Sequence, residues 1–394
     1  MFNVKHGDFG IYSDIDQSYI CVLDCGTSQP YSSLHTSCLT PKGIISLVTD
    51  RISLFLRRDI LISHYHEDHF NSLGVLKRYN LPFFEIAYVP YIDFRANYAR
   101  QFFYSMCLLQ ATSEVLQIPF TLLKNFSSLF VDKYAQKYVM CHKGHSLPKI
   151  KDGTGTVAKV LWPPKNIYNG DSEILKKFIT KLENTLHKNN LESAIKRTEK
   201  YFSRLQDQMH SFDFSSLSLK GQDSGTEKEI DINEVFGIEN SNEKYPDERN
   251  ELEAAFGELK SAVKDFLNAL SIVFRIDSKL VWMGDISDEV LKIIKQDLQG
   301  DIEYFKLPHH GTRDVSILNL KASEFVVSIS DGRNYKPINE KNLRKAWKDS
   351  TLIYCTDGHR SCNQIHLHFY NCLSLEVCPY FYCSRNTVIR LDLR

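Results

Sequence analysis

The chain has 394 residues, 43% of them apolar and 24% charged, and its 48 basic side chains cancel 48 acidic ones. That length supports two or three domain-sized units with a large buried core, and a sequence pI near 7.2 excludes a protein that holds nucleic acid by bulk positive charge, although a local basic groove would not show in such a sum. Charge breaks the apolar stretches before the roughly eighteen residues of a membrane span, Met1 to Gly10 lacks a charged-then-apolar leader pattern, and ten scattered cysteines without a Cys-x-x-Cys pair suit reduced thiols, so the expectation is a soluble cytoplasmic protein with no membrane partner.

In chain order, Tyr19 to Leu23 is an apolar run that ends in Asp24-Cys25-Gly26, and Ile60 to Ile62 is another that ends at Ser63-His64; both read as buried strands that deliver polar residues at their ends. From Phe94 to about Leu116 the spacing is helical, and Val157 to Leu161 returns to β before Pro163-Pro164 stops it. Residues 171 to 250 read as an insertion. Asp171 to about Gln208 is polar and Lys-rich with a rough apolar stripe of Ile174, Phe178, Leu182, Leu186 and Leu191. Ser211 to Asn250 is rich in Ser, Gly, Asp and Asn, and between Gly221 and Lys260 there are 12 acidic against 4 basic residues, a local charge of −8, as expected of an irregular acidic segment or a surface for a protein partner. A helix from Asp247 to about Leu267 follows. Strands are then expected at Ser271 to Ile276, Lys279 to Met283 (running into Gly284-Asp285), Ile302 to Leu307 (ending at Pro308-His309-His310-Gly311) and Phe325 to Ile329 (ending at Ser330-Asp331-Gly332). A chain that keeps placing His and Asp at the ends of buried strands points to a layered α/β sandwich with its site where loops leave the sheets.

The strongest chemical signal is Ser63-His64-Tyr65-His66-Glu67-Asp68-His69. In an extended segment His64 and His66 project to one side, and a turn after them can bring Asp68 and His69 to the same point. Imidazole and carboxylate together suit zinc, manganese or iron, and this many ligands could serve two ions sharing one bridging group.

These residues resemble the hallmark of the metallo-β-lactamase fold, a four-layer αβ/βα sandwich, here carrying the helical and acidic insertion: 1–170 and 251–394 would be the two halves of the hydrolase domain and 171–250 the insertion. The resemblance implies that Asp24 with Gly26 supports the histidine loop, that His64, His66, Asp68, His69 and Asp285 hold two divalent ions, zinc or manganese, with Asp285 bridging, and that one of His309 and His310 joins the second ion. The opening Val4-Lys5-His6-Gly7-Asp8, Asn268-x-x-Ser271, His309-His310-Gly311-Thr312, and Asn334 with Pro337 are similar to the hydrolase domain of ComEC-type DNA-uptake proteins and their free-standing relatives, some of which accompany bacterial anti-phage systems.

That resemblance implies water-based hydrolysis without a side-chain nucleophile. Asp68 would be both ligand and proton partner, and His310 a ligand with His309 donating to the substrate, or the reverse. A phosphodiester in DNA is the substrate it favours, with Thr312, Arg313, Asn334 and Lys336 available for phosphate contacts. The same fold acting on a small phosphoester or a cyclic ester or amide, and a non-catalytic binding or sensing module, stay open beside it. A third histidine ligand would have to come from His142, His145, His187 or His210, of which His142 and His145 are the best placed; a surface turn is the plainer account of both. Tyr88, Tyr91, Phe94, Tyr98, Phe102, Phe103 and Tyr104 could stack bases, but their helical spacing favours a core. The Cys and His residues crowded between Cys355 and Cys383 match no zinc module.

Overall fold

A computed structural model of the chain describes residues 9–13, 18–26, 55–78, 83–132, 134–165, 169–211, 249–327, 338–349, 351–355 and 381–383. The protein is mixed α/β, with two sheets and seven α-helices among the described residues, and it folds as two compact units: 1–91 with 138–164 and 268–394, and 92–137 with 165–267. The helical unit thus takes in more of the chain than the 171–250 stretch that composition marks.

In the first unit β1 (Phe9–Ser13), β2 (Tyr19–Cys25), β3 (Arg57–Leu61), β4 (Phe84–Pro90) and β5 (Ala135–Cys141) form one sheet in that order. β1 runs antiparallel to β2, and β2, β3 and β4 run parallel. The second sheet has the order β13 (Phe381–Cys383), β12 (Leu352–Cys355), β11 (Leu320–Val327), β10 (Gly300–Lys306), β9 (Leu280–Met283), β8 (Val273–Ile276), β7 (Val157–Trp162), β6 (Ser146–Lys151). It is antiparallel from β6 to β9 and parallel from β9 to β13.

The sheets share one apolar core: Tyr12, Cys21, Leu23 and Leu61 of the first pack with Leu147, Val160, Phe274 and Trp282 of the second. Gly10 is needed for this approach, because a Cβ there would come within 2.9 Å of the Trp282 indole. The other face of the second sheet presents Val281, Met283, Phe305 and Phe325 to α6 (Asp288–Ile294) and α7 (Glu340–Asp349), which cover it with Val290, Leu291, Ile294, Leu343 and Ala346. Strand β9 shows why its sequence is apolar throughout: Leu280 and Trp282 face the first sheet while Val281 and Met283 face the helices, the alternation of a strand buried on both sides.

The second unit contains α1 (Asn97–Leu116), α2 (Leu122–Val131), α3 (Asn169–Lys188), α4 (Glu192–Ser211) and most of α5 (Arg249–Ala269). Phe102 stacks on Phe266 with centroids 4.9 Å apart and meets Phe126 edge-on. Tyr98, Phe102 and Phe103 are buried, so this part of the aromatic cluster is core. The single helical stretch expected from 171 to 208 is two helices, parted at Asn189–Leu191, where Asn190 takes a left-handed φ of 55°. Its stripe is also shifted: Ile174 is 51% exposed, and Leu175, Ile179, Leu182 and Leu186 are the buried residues. A strict four-residue spacing drifts about 40° per step around a helix, whereas steps of four, three and four stay on one face. No helix among the described residues is long and apolar enough to cross a membrane.

Candidate metal centre

Strand ends build the site. Asp24, in β2, has a left-handed φ of 59°. One carboxylate oxygen accepts from the Ser63 N–H at 2.6 Å and the other lies 3.1 Å from His69 Nδ1, so a single buried side chain anchors both ends of the histidine loop. The loop continues as a 3₁₀ turn over Glu67–His69, which packs directly on Gly26; a Cβ there would collide with the Asp68 carbonyl. Across the sheets the Ile272 N–H donates to the Ser63 carbonyl at 2.7 Å. This is why strand β8 begins at Val273 rather than Ser271: Ile272 bonds to the histidine loop instead. Gly284, just past β9, admits the same close packing, since a Cβ would sit 2.8 Å from Ser271 Cβ and 3.2 Å from Ser63 Cβ.

Asp285 then meets the imidazoles. Its Oδ2 lies 4.0 Å from His64 Nε2, 3.7 Å from His69 Nε2 and 3.8 Å from His310 Nε2, and His66 Nδ1 is 3.0 Å from His64 Nε2. His64 and His69 are fully buried and Asp285 nearly so. Two sets of ligand atoms gather, His64 with His69 and Asp285, and Asp68 with His69 and His310, the atoms of each set within 4.8 Å of one another. His66 belongs to neither set and adjoins the first through His64. Thus His69, rather than the Asp285 expected to bridge, is common to both.

The donor set fits a divalent cation. Zinc–nitrogen and zinc–oxygen bonds of about 2.0–2.2 Å cannot hold two ligand atoms more than about 4.4 Å apart, and the separations from Asp285 fall inside that limit. His69 Nε2 and Asp285 Oδ1 are buried without a hydrogen-bond partner among the described residues, a costly state for polar atoms unless something satisfies them. Burial favours a neutral Asp285, yet the surrounding His310 and His69 prevail and hold its carboxyl well below the usual carboxylate range. Burial, reinforced by the neighbouring His69 and His66, holds His64 well below the ordinary histidine value. For His69 burial acts downward too, but the adjacent Asp24 carboxylate outweighs it and the pKa lies well above the ordinary value.

His309 and His310 occupy a turn of three successive left-handed residues, with φ of 48°, 55° and, at Gly311, 78°. Of the pair, His310 is the one that meets Asp285. His309 Nδ1 is buried without a hydrogen-bond partner among the described residues, and burial lowers its pKa. Thr312 Oγ1 donates to the His309 carbonyl at 2.7 Å, so this hydroxyl braces the turn. Arg313 reaches α6 through a 3.8 Å contact between its guanidinium Nη1 and Asp288 Oδ2, and its Nε has no hydrogen-bond partner among the described residues. Asn334 and Lys336 lie outside the described residues.

The rings of His142 and His145 lie against each other at a 40° tilt, with centroids 3.6 Å apart, and neither belongs to a metal-competent set among the described residues. His187 pairs with Glu192 on the exposed face of the helical unit, and His210 lies in α4. Residues 356–380 lie outside the described residues.

Several contributors carry no motif signal. Ser63 Oγ lies 3.1 Å from His64 Nδ1 and 3.3 Å from His69 Nδ1. Asn342, fully buried, donates to the carbonyls of Gly311 and Arg313 and accepts from the Val315 N–H, fixing the turn that carries His310. Lys306 is buried at the end of β10; a lysine set between the apolar Tyr304-Phe305 and Leu307, just ahead of Pro308-His309-His310, was the available signal. The chain matches no protein-family model and no curated protein sequence.

Proposed function

We propose that the chain is a metal-dependent hydrolase of the metallo-β-lactamase fold, of the ComEC-type subset, that cleaves phosphodiesters in DNA. The observation that carries this reading is the convergence of three imidazole Nε2 atoms, from His64, His69 and His310, on Asp285 Oδ2 at 3.7–4.0 Å. Two facing sheets with helices outside the second support the sandwich. His64, His66 and Asp285 on one side, and Asp68, His69 and His310 on the other, would hold two divalent ions, zinc or manganese. Such ions supply Lewis acidity, which acidifies water at neutral pH and neutralises the charge on a phosphoryl group.

The chain's own residues do the rest. Asp24 accepts the Nδ1 proton of His69 and so directs Nε2 inward. His309, with Nδ1 unsatisfied, donates to an oxygen of the substrate, and Arg313 contributes a cationic donor beside it. Asp68 holds the proton released from water.

The test is cleavage of single-stranded DNA, duplex DNA, RNA and bis(p-nitrophenyl) phosphate with manganese or zinc, beside the double variant Asp68→Ala, His69→Ala. Cleavage of DNA and the diester by the wild type alone is expected. Equal rates for the two proteins on every substrate would refute the proposal, and metal analysis of both separates a lost reaction from a lost fold.

A further inference from the structure

Among the described residues Lys306 is the one lysine that is buried, at 1% exposure. It ends β10, pairs in register with Val326 of β11, and places its ammonium 5.5 Å from the Trp282 ring centroid. Trp282 and Val326 both belong to the core shared by the two sheets, so the lysine runs between the sheets and not toward α6 and α7. Removing an ammonium from water is among the costliest burials a side chain makes, and a methionine would fill similar space without that cost.

The hydrogen bond of Lys306 gives the reason. Nζ donates to the Met283 carbonyl at 2.7 Å. Met283 ends β9 two residues before Asp285, and Lys306 ends β10 four residues before His310. The last register pair between these strands is Val281 with Phe305. Beyond it their backbones bond outward: the Gly284 N–H donates to the Ile272 carbonyl, and the Leu307 N–H to the Val326 carbonyl. The Lys306 side chain therefore spans the two strand ends where the backbone ladder has stopped.

We infer that Lys306 is a positioning residue for the metal centre: by tying the end of β9 to the end of β10 it fixes the separation of Asp285 from His310, and so the affinity of the site for a divalent ion. This rests on the metal-site reading above. The position of a ligand by a fraction of an ångström alters affinity and ligand field alike, whereas stability lost elsewhere in the core alters neither.

The test is titration of the full chain with cobalt(II), read by affinity and by the visible d–d absorption. Lys306→Met removes the donor at similar volume, Lys306→Arg restores a donor at a different length, and Leu147→Ala, in β6 at the far edge of the same sheet, reports stability lost at a distance. The expected result is at least tenfold weaker binding and an altered spectrum for Lys306→Met, intermediate values for Lys306→Arg, and wild-type affinity and spectrum for Leu147→Ala. Should Lys306→Met not fold, the shifted affinity and spectrum of Lys306→Arg carry the test. Wild-type behaviour in every folded Lys306 variant, or equal changes in Leu147→Ala, would overturn the inference and leave the metal site standing. A wild type that binds no cobalt would overturn both.

Discussion

Asp24 shows how one side chain decides what another can do. Its two oxygens are each committed, one to the Ser63 N–H and one to His69 Nδ1, so the carboxylate fixes both the place and the tautomer of His69. Asp24→Asn keeps the size but substitutes an N–H for one acceptor. With Ser63 still bonded to the amide oxygen, the amide nitrogen faces His69 Nδ1 and drives the ring proton to Nε2, against the site. Metal affinity should fall about ten- to a hundredfold, measured by calorimetric titration with zinc, with the circular dichroism spectrum unchanged. In the proposed reaction Arg313 would contact the substrate instead. An anionic contact of about 1.5–3 kcal/mol predicts that Arg313→Met lowers kcat/KM for bis(p-nitrophenyl) phosphate about ten- to a hundredfold while leaving hydrolysis of a neutral ester within a factor of two. Equal losses on both substrates would remove Arg313 from that role. The histidines and carboxylates could be picked out in the sequence because metal ligands come from few residue types at short spacings. The partners of Ser63, Asn342 and Lys306 could not, because they are brought near only by folding.

At the scale of elements, the site is a set of strand ends held at close range by residues without side chains or with unusual backbones. Gly26 and Gly284 sit where a Cβ would meet the Asp68 carbonyl and Ser271, and His309 and His310 take left-handed φ values that cost on the order of 1–3 kcal/mol each. Hydrogen bonds from Asn342 and Thr312 to the carbonyls of that turn offset part of the cost. Gly26→Ala should therefore displace the histidine loop, destabilise the protein by roughly 1–3 kcal/mol in urea unfolding, and weaken zinc binding at the same time. A variant with wild-type stability and affinity would show that the loop does not depend on this contact. Strands with apolar runs, such as β2 and β9, could be read from sequence because burial on both faces leaves a continuous hydrophobic signature. The division of the Lys-rich stretch into α3 and α4 could not, since it turns on one left-handed residue, Asn190, in a segment whose mix of polar residues and spaced apolar ones continues on both sides of it.

At the scale of the molecule, the candidate ligands come from residues 64 to 310 of the chain, and the two sheets that present them share one core. Anything bound by these groups in the folded chain but not in the unfolded one stabilises the fold by mass action. Zinc or manganese at a hundred times its dissociation constant should add about 2.7 kcal/mol, seen as a higher melting temperature than in chelator; the double variant Asp68→Ala, His69→Ala should show no such rise. A zero net charge left nucleic-acid binding undecided, and the ordering of the strands around the site was beyond a reading by periodicity, because register and sheet order are properties of contacts distant in sequence. The most direct measurement of the whole account is anomalous diffraction from crystals grown or soaked with zinc or manganese. A peak bonded to His64 Nε2 and Asp285, with a second beside Asp68 and His310, is the result expected; a map without anomalous density within bonding distance of Asp285 would contradict it.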